Sequence, residues 1–224
     1  MPPGDYWLRD EPIPSVSEVV AQMKSSYRSH QIEEGARLGS VVHRLIERSL
    51  LGEVILPDEV PEDAANAWAA WCAWAFHREP TIVRIPTPDG DKPASEVALT
   101  WATDPRLAYG GRIDLVAVVN GRRTIIDFKT RTAGDGGLPT ADRHSYTQIG
   151  GYTQLWSVNH GRADSALILI LGRDKPVFRE CWLSPPMITY SETEFIALRT
   201  AYNAHETRKK LAMDLRAEQE RGEV

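Results

Sequence analysis

Cysteine is almost absent: Cys72 and Cys181 are the only two, far apart in the chain. They lack metal-ligand spacing, which excludes a thiolate-built zinc or iron–sulfur centre, and their scarcity points to a reducing, cytoplasmic setting. Long apolar runs are missing too, and none approaches the ~20 residues of a membrane span. The opening "MPPGDYWLRDEP" is neither a signal peptide nor a basic transit peptide. No internal repeat, low-complexity run or Pro/Ser-rich linker breaks the sequence, so residues 1–224 read as a single α/β domain. Positive charge is not in excess, with 26 Lys and Arg against 31 Asp and Glu and a net charge of −5. That balance excludes a protein that coats nucleic acid electrostatically. It leaves room for an acidic site inside a local basic rim, for which Arg37, Arg44, Arg48, Arg112, Arg122, Arg123, Arg131 and Arg143 are candidates. Each of these, taken singly, is an ordinary surface arginine.

What is present is concentrated in "GGRIDLVAVVNGRRTIIDFKT", Gly110 to Thr130. Asn120-Gly121 is a strong hairpin signal, because both turn positions need positive φ. A two-residue turn there pairs Val119 with Arg122, and counting outward sets Asp114 opposite Asp127. Directly opposed carboxylates repel. Lys129 lies two residues past Asp127 and projects from the same face. The flanking Ile113, Leu115, Val116, Ile125, Ile126 and Phe128 imply a strand pair covered on both sides, where uncompensated charge is costly. A divalent cation would relieve the two carboxylates, and oxygen ligands suit magnesium or manganese. The alternative is an Asp–Lys–Asp salt-bridge cluster at a sheet edge.

Elsewhere the periodicity predicts helices and further strands. "IPSVSEVVAQMKSS" reads as a helix capped by Ser15 or Ser17. Leu38, Val41, Val42, Leu45 and Ile46 form the stripe of an amphipathic helix ending near Gly52. His43 lies off that stripe, with Gly39 one turn earlier on its side. Trp68, Trp71 and Trp74 recur at helical spacing, which suits helix-packing core better than base stacking. "TIVRIP", a turn at Pro88-Asp89-Gly90 and "SEVALTW" lead into the hairpin, and Glu96 faces opposite to Val97 and Leu99. A glycine-rich loop, "RTAGDGGLPTADRH", precedes a helix "SYTQIGGYTQLWSVNH" with Gln148 and Tyr152 on one face. "ADSALILILGRD" and "VFRECWLS" read as strands, and a charged helix with a fraying tail follows from about Ser191. The order describes an α/β sandwich with a mixed central sheet.

Gly39…His43, Glu96, "GGRID" with Asp114, "IIDFKT" with Asp127 and Lys129, and "QIGGY" with Gln148 and Tyr152 together resemble the PD-(D/E)XK nuclease superfamily. The pattern is similar to its RecB-like exonuclease branch, including phage exonucleases and the mitochondrial genome maintenance group. The resemblance implies a restriction-endonuclease-like sandwich and a magnesium- or manganese-dependent deoxyribonuclease. It implies metal binding by Asp114 and Asp127, assisted by His43 and the Phe128 carbonyl. Glu96 becomes an acidic active-site residue, and Lys129 orients the attacking water or stabilises developing charge. Gln148 and Tyr152 hold the site together or touch the DNA backbone, with Ser15, Gly39, Arg112, Thr130 and Arg131 on the substrate side. The expected activity is exonucleolytic cleavage of DNA, favouring single-stranded ends, in phage or bacterial DNA processing, recombination or repair. A structure-specific endonuclease and a non-catalytic nucleic-acid-binding module are the alternatives. The four-cysteine iron–sulfur cluster of many RecB-like relatives cannot be built here, and no helicase motifs are present.

Overall fold

The computed structural model describes residues 6–8, 11–23, 30–88 and 90–221. A short hairpin, β1 (Tyr6–Leu8) and β2 (Glu11–Ile13), leads into α1 (Val16–Ala21), α2 (His30–Leu50) and α3 (Ala65–Arg78). Four strands follow: β3 (Thr81–Ile82), β4 (Arg84–Ile85), β5 (Lys92–Pro93) and β6 (Ser95–Trp101). The long hairpin is β7 (Tyr109–Val119) and β8 (Arg122–Arg131), and α4 (Arg143–His160), β9 (Ser165–Gly172), β10 (Phe178–Leu183) and α5 (Pro185–Arg221) complete the chain. The central sheet runs β10-β9-β8-β7, and β6 and β3 share the far edge of β7. β8 and β9 are parallel and the other pairs antiparallel, so the sheet is mixed as the sequence predicts.

Both faces of this sheet are covered. On β9, Ala166, Ile168 and Ile170 face a core shared with α1, α4 and α5. Leu167, Leu169 and Leu171 face a second core built with α2 and α3. A strand buried on both sides has no polar alternation, which is why "SALILILG" reads as one apolar run. The tryptophan stripe belongs to the second core. Trp71 stacks on Trp74 at 5.4 Å and meets Phe128 edge-on at 5.3 Å. α3 is tied to the sheet by Glu180 of β10, whose carboxylate accepts from Trp74 Nε1 at 2.7 Å and Arg78 Nε at 2.8 Å.

Three local features shape the site. Ser15 caps α1: its hydroxyl accepts from Glu18 N while Glu18 Oε2 accepts from Ser15 N at 2.7 Å. The helix ends at Ala21 with Gln22 as its C-cap and Met23 in a turn, shorter than expected; residues 24–26 of the expected run lie outside the described residues, as do Asp89 of the expected turn and the last three residues of the expected tail. α4, capped by Asp142, is drawn against α5 at Gly150 and Gly151. A Cβ on Gly150 would sit 2.3 Å from the Ser191 backbone, and one on Gly151 would be 2.9 Å from the Phe195 ring. The tight fit fixes the face on which α4 presents Gln148 and Tyr152. Finally, α5 starts six residues before the predicted Ser191, at Pro185. Pro185 and Pro186 open it: a helix tolerates prolines in its first turn, where their missing N–H groups would be unpaired anyway.

Candidate active site

The β7–β8 ladder follows the predicted register from Val119↔Arg122 to Leu115↔Ile126 and then stops. The expected pairing of Asp114 with Asp127 is not made. Instead Phe128 N donates to Asp114 Oδ2 at 2.7 Å, so the carboxylate takes the place of a ladder carbonyl. Beyond this point β7 stays with β6, while β8 stays with β9. The sheet therefore forks. Side-chain alternation also breaks there: Ile113 and Val116, three residues apart, both enter the core beneath α4. Two opposed buried carboxylates would repel, and a buried carboxylate needs donors; leaving the ladder meets both demands.

Glu96 stands on the other side of Asp114. Ser95↔Leu115 and Val97↔Ile113 are paired, but the position between them is not. Glu96 has φ +49°, a left-handed conformation rare for a non-glycine residue. Such strain costs about 1–3 kcal/mol and persists where the surroundings impose it. Here it accompanies a carboxylate aimed at His43 of α2. His43 Nδ1 lies 3.6 Å from both Glu96 Oε1 and Asp114 Oδ1. Its other nitrogen, Nε2, is 3.3 Å from the Phe128 carbonyl. That contact makes Nε2–H the donor to the carbonyl and turns Nδ1 toward the carboxylates, where the protonated ring points its second N–H at them. The Phe128 carbonyl, expected as a metal ligand, is thus engaged in orienting His43.

Asp127 is buried, and Lys129 Nζ lies 2.6 Å from its Oδ2. Among the described residues that ion pair, and no hydrogen bond, meets Oδ2. From α4, the Gln148 amide donates to Tyr152 Oη at 2.9 Å and to Ser17 Oγ at 3.3 Å. Burial and the nearby Asp127 and Asp114 charges raise the Tyr152 phenol far above its ordinary value, so it stays a neutral donor. Around the rim, Arg112 Nε is 3.9 Å from Glu96 Oε2. Thr130 is buried facing Gly39, and Arg131 pairs with Asp142 at 3.5 Å. The Ser15 hydroxyl is occupied in its helix cap.

The cluster's electrostatics follow from its crowding. Burial disfavours charge on His43, but Asp114 and Glu96 outweigh it and raise its pKa to about 9. Burial first, then repulsion from Asp127 and Glu96, lifts the Asp114 carboxyl to about 6 against the pull of His43 and Lys129. Three carboxylates thus meet two cationic groups, and one ligand atom each from His43, Glu96 and Asp114 lie within 4.8 Å of one another. Two carboxylate oxygens and an imidazole nitrogen, once its proton is lost, suit a divalent cation; Asp127, paired with Lys129, stands beside this group.

The site thus gathers His43, Glu96, Asp114, Asp127, Lys129, Gln148 and Tyr152 at one fork. Sequence reasoning missed Ser17's bond to Gln148 and the positive φ of Glu96; a cap serine and a strand glutamate carry no signal for either. A groove of about 810 Å³, lined by Pro14, Arg106 and Tyr202 among others, contains none of the seven.

Several solved structures share features of this chain at low identity. A structure of SSO0001 is 19% identical, covering 86% of this chain and 78% of its own, with a TM-score of 0.37. A candidate exonuclease from Eubacterium rectale is 12% identical, with coverages of 95% and 77% and a TM-score of 0.48. LHK-Exo in complex with dAMP is 15% identical, with coverages of 89% and 93% and a TM-score of 0.40. No curated protein matches the chain. The pattern of the PD-(D/E)XK nuclease superfamily, however, matches residues 18–221, and the chain belongs to that family.

Proposed function

We propose that the protein is a magnesium- or manganese-dependent DNA exonuclease that takes single-stranded ends, and that His43, Glu96, Asp114 and Asp127 hold the metal. The observation that carries this reading is the fork itself: carboxylates are buried beside one lysine where the ladder opens. An acidic cluster this costly gains nothing in a passive binding module, which argues against the non-catalytic alternative. A divalent cation at such a site supplies a Lewis acid for the phosphoryl oxygens and a more acidic water as nucleophile.

This chain's own groups do the rest. Phe128 N and the Phe128 carbonyl hold Asp114 and His43 in place from two sides. Lys129 carries its charge where negative charge grows on the phosphate, and the low exposure of its side chain, 18%, makes that charge count for more. Tyr152 and Gln148 present neutral donors on the opposite wall. Arg112 and Arg131 sit at the rim for the flanking phosphates. The acidic overall charge disfavours broad capture of duplex, so a strand enters by its end.

The test compares a linear single strand with a closed circle of the same sequence, in magnesium. The linear strand should be degraded and the circle should survive. Rapid cutting of the circle supports the endonuclease alternative, and resistance of both in magnesium and in manganese supports the non-catalytic one.

A further inference from the structure

Arg173, just past the end of β9, is absent from every role above. Its backbone is firmly placed: its N–H donates to the Arg131 carbonyl at 2.9 Å, and its carbonyl accepts from Asn66 Nδ2 at 3.1 Å. Its side chain continues the β9 face that carries Leu169 and Leu171 toward α2 and α3. There the guanidinium meets Gly35, where an added Cβ would stand 3.2 Å from Nη1. Among the described residues, no carboxylate forms an ion pair with this group. Asp174, the nearest acid in sequence, is occupied by the Ala133 amide at 2.7 Å. The Nε of Arg173 is buried and has no acceptor among the described residues. A buried donor on a permanent cation, left without a partner, is costly unless an anion completes it.

The position says which anion. Gly35, Gly39 and His43 recur at intervals of four on one face of α2. His43 lies at the fork, Gly39 faces Thr130, and Gly35 faces Arg173. Eight residues at about 1.5 Å each put Gly35 about 12 Å along α2 from His43. That is too far for the scissile phosphodiester and suited to a phosphate further along the same strand. Lacking a Cβ, Gly35 lets the guanidinium lie close against α2, and the guanidinium supplies the forked donors that phosphate geometry matches.

We propose that Arg173 grips a backbone phosphate of the bound strand, on the α2 side of the fork. This inference rests on the nuclease reading and extends it by one contact. It makes Arg173 a binding residue, so its loss falls on KM and affinity rather than on kcat.

The experiment uses full-length protein and a fluorescein-labelled single-stranded oligonucleotide. Steady-state cleavage is measured in magnesium, and anisotropy across a salt series with calcium in its place. R173Q should weaken binding about tenfold, as loss of a charge-assisted contact does. The slope of log affinity against log salt should fall by about 0.7, the share of one phosphate on a single strand. R173K should recover the salt slope without the full affinity. Gly35→Ala, which crowds the guanidinium and keeps its charge, should weaken affinity in the same direction. Wild-type KM, affinity and slope in R173Q would overturn the proposal, as would a lower melting temperature with unchanged affinity, which marks a structural brace. A wild-type protein that neither binds nor cuts the oligonucleotide overturns the nuclease reading itself; a wild type that cuts beside an unaffected R173Q overturns only this contact.

Discussion

Asp114→Asn separates the cost of the acidic fork from its use. In the metal-free protein the Asp114 carboxyl is raised from 3.8 to about 6, by burial first and then by Asp127 and Glu96. A raised carboxyl binds protons more readily in the folded than in the unfolded chain. Its ionisation is therefore a destabilising event, absent below 3.8 and complete above about 6. At 1.36 kcal/mol per tenfold change, that rise amounts to about 3 kcal/mol at neutral pH. Asparagine keeps an oxygen for Phe128 N and carries no charge, so D114N in EDTA at pH 7.5 should be more stable than wild type by up to about 3 kcal/mol, or about 6–12 °C in melting temperature for a chain of this size. The difference should shrink as pH falls from 6 to 4. Magnesium should reverse the order. A cation at a hundred times its dissociation constant stabilises wild type by about 2.7 kcal/mol, and D114N, lacking a ligand, much less. Thermal unfolding of both proteins in EDTA and in saturating magnesium or manganese decides the matter. A variant less stable than wild type in EDTA, yet stabilised equally by metal, would refute both the electrostatics and the site.

Lys129→Ala should lower turnover about 10²- to 10³-fold, the usual effect of removing a group that stabilises transition-state charge, while DNA affinity stays near wild type. Collapsed affinity with unchanged turnover on saturating DNA would make Lys129 a phosphate anchor instead. Glu180→Gln tests the clasp on α3, far from the chemistry. Burial opposes the Glu180 charge, but hydrogen bonds from Arg78, Trp182 and Trp74 outweigh it and lower its pKa below 4.5. A depressed carboxyl stabilises above its unfolded value and loses that contribution as pH falls, so E180Q should cost about 1–2 kcal/mol at pH 7, discounted because Arg78 is partly exposed, and progressively less below 4.5. A pH-independent loss measured by denaturant unfolding would show that shape rather than charge holds the clasp.

The sequence carried the strands that a buried sheet demands and the turn that joins two of them. Asn120, at φ +52°, and Gly121, at φ +73°, take the positive angles that their dipeptide announces, and Leu115↔Ile126 follows from them by counting. Counting fails one step later, and it fails for a physical reason. A register extrapolates a regular ladder, but two charges in an apolar layer change the ladder. Asp114 gains the Phe128 amide only because the pairing stops, and Glu96 reaches His43 only because its backbone leaves the strand region. Neither event has a signature in residue type or period, since both are responses to charges brought together from four separate elements. The same limit hid Arg173: an arginine after a strand is unremarkable until Gly35 of a distant helix faces it.

The fork also gives the proposed site a physical reason for its place. A closed sheet would satisfy its backbone and leave no room for a ligand among its strands. Ending the β7–β8 ladder at Leu115 and Ile126 frees the Phe128 amide and carbonyl, one for Asp114 and one for His43. Those two bonds recover part of what the broken ladder loses. They also aim a carboxylate and an imidazole from different elements at one point, with Lys129 held beside them by Asp127. The carboxylates are unfavourable to one another, so on the proposed reading a bound cation would return the free energy of their repulsion. On this reasoning the strain belongs to the metal-free state, and relieving it by mutation must weaken the site that it serves.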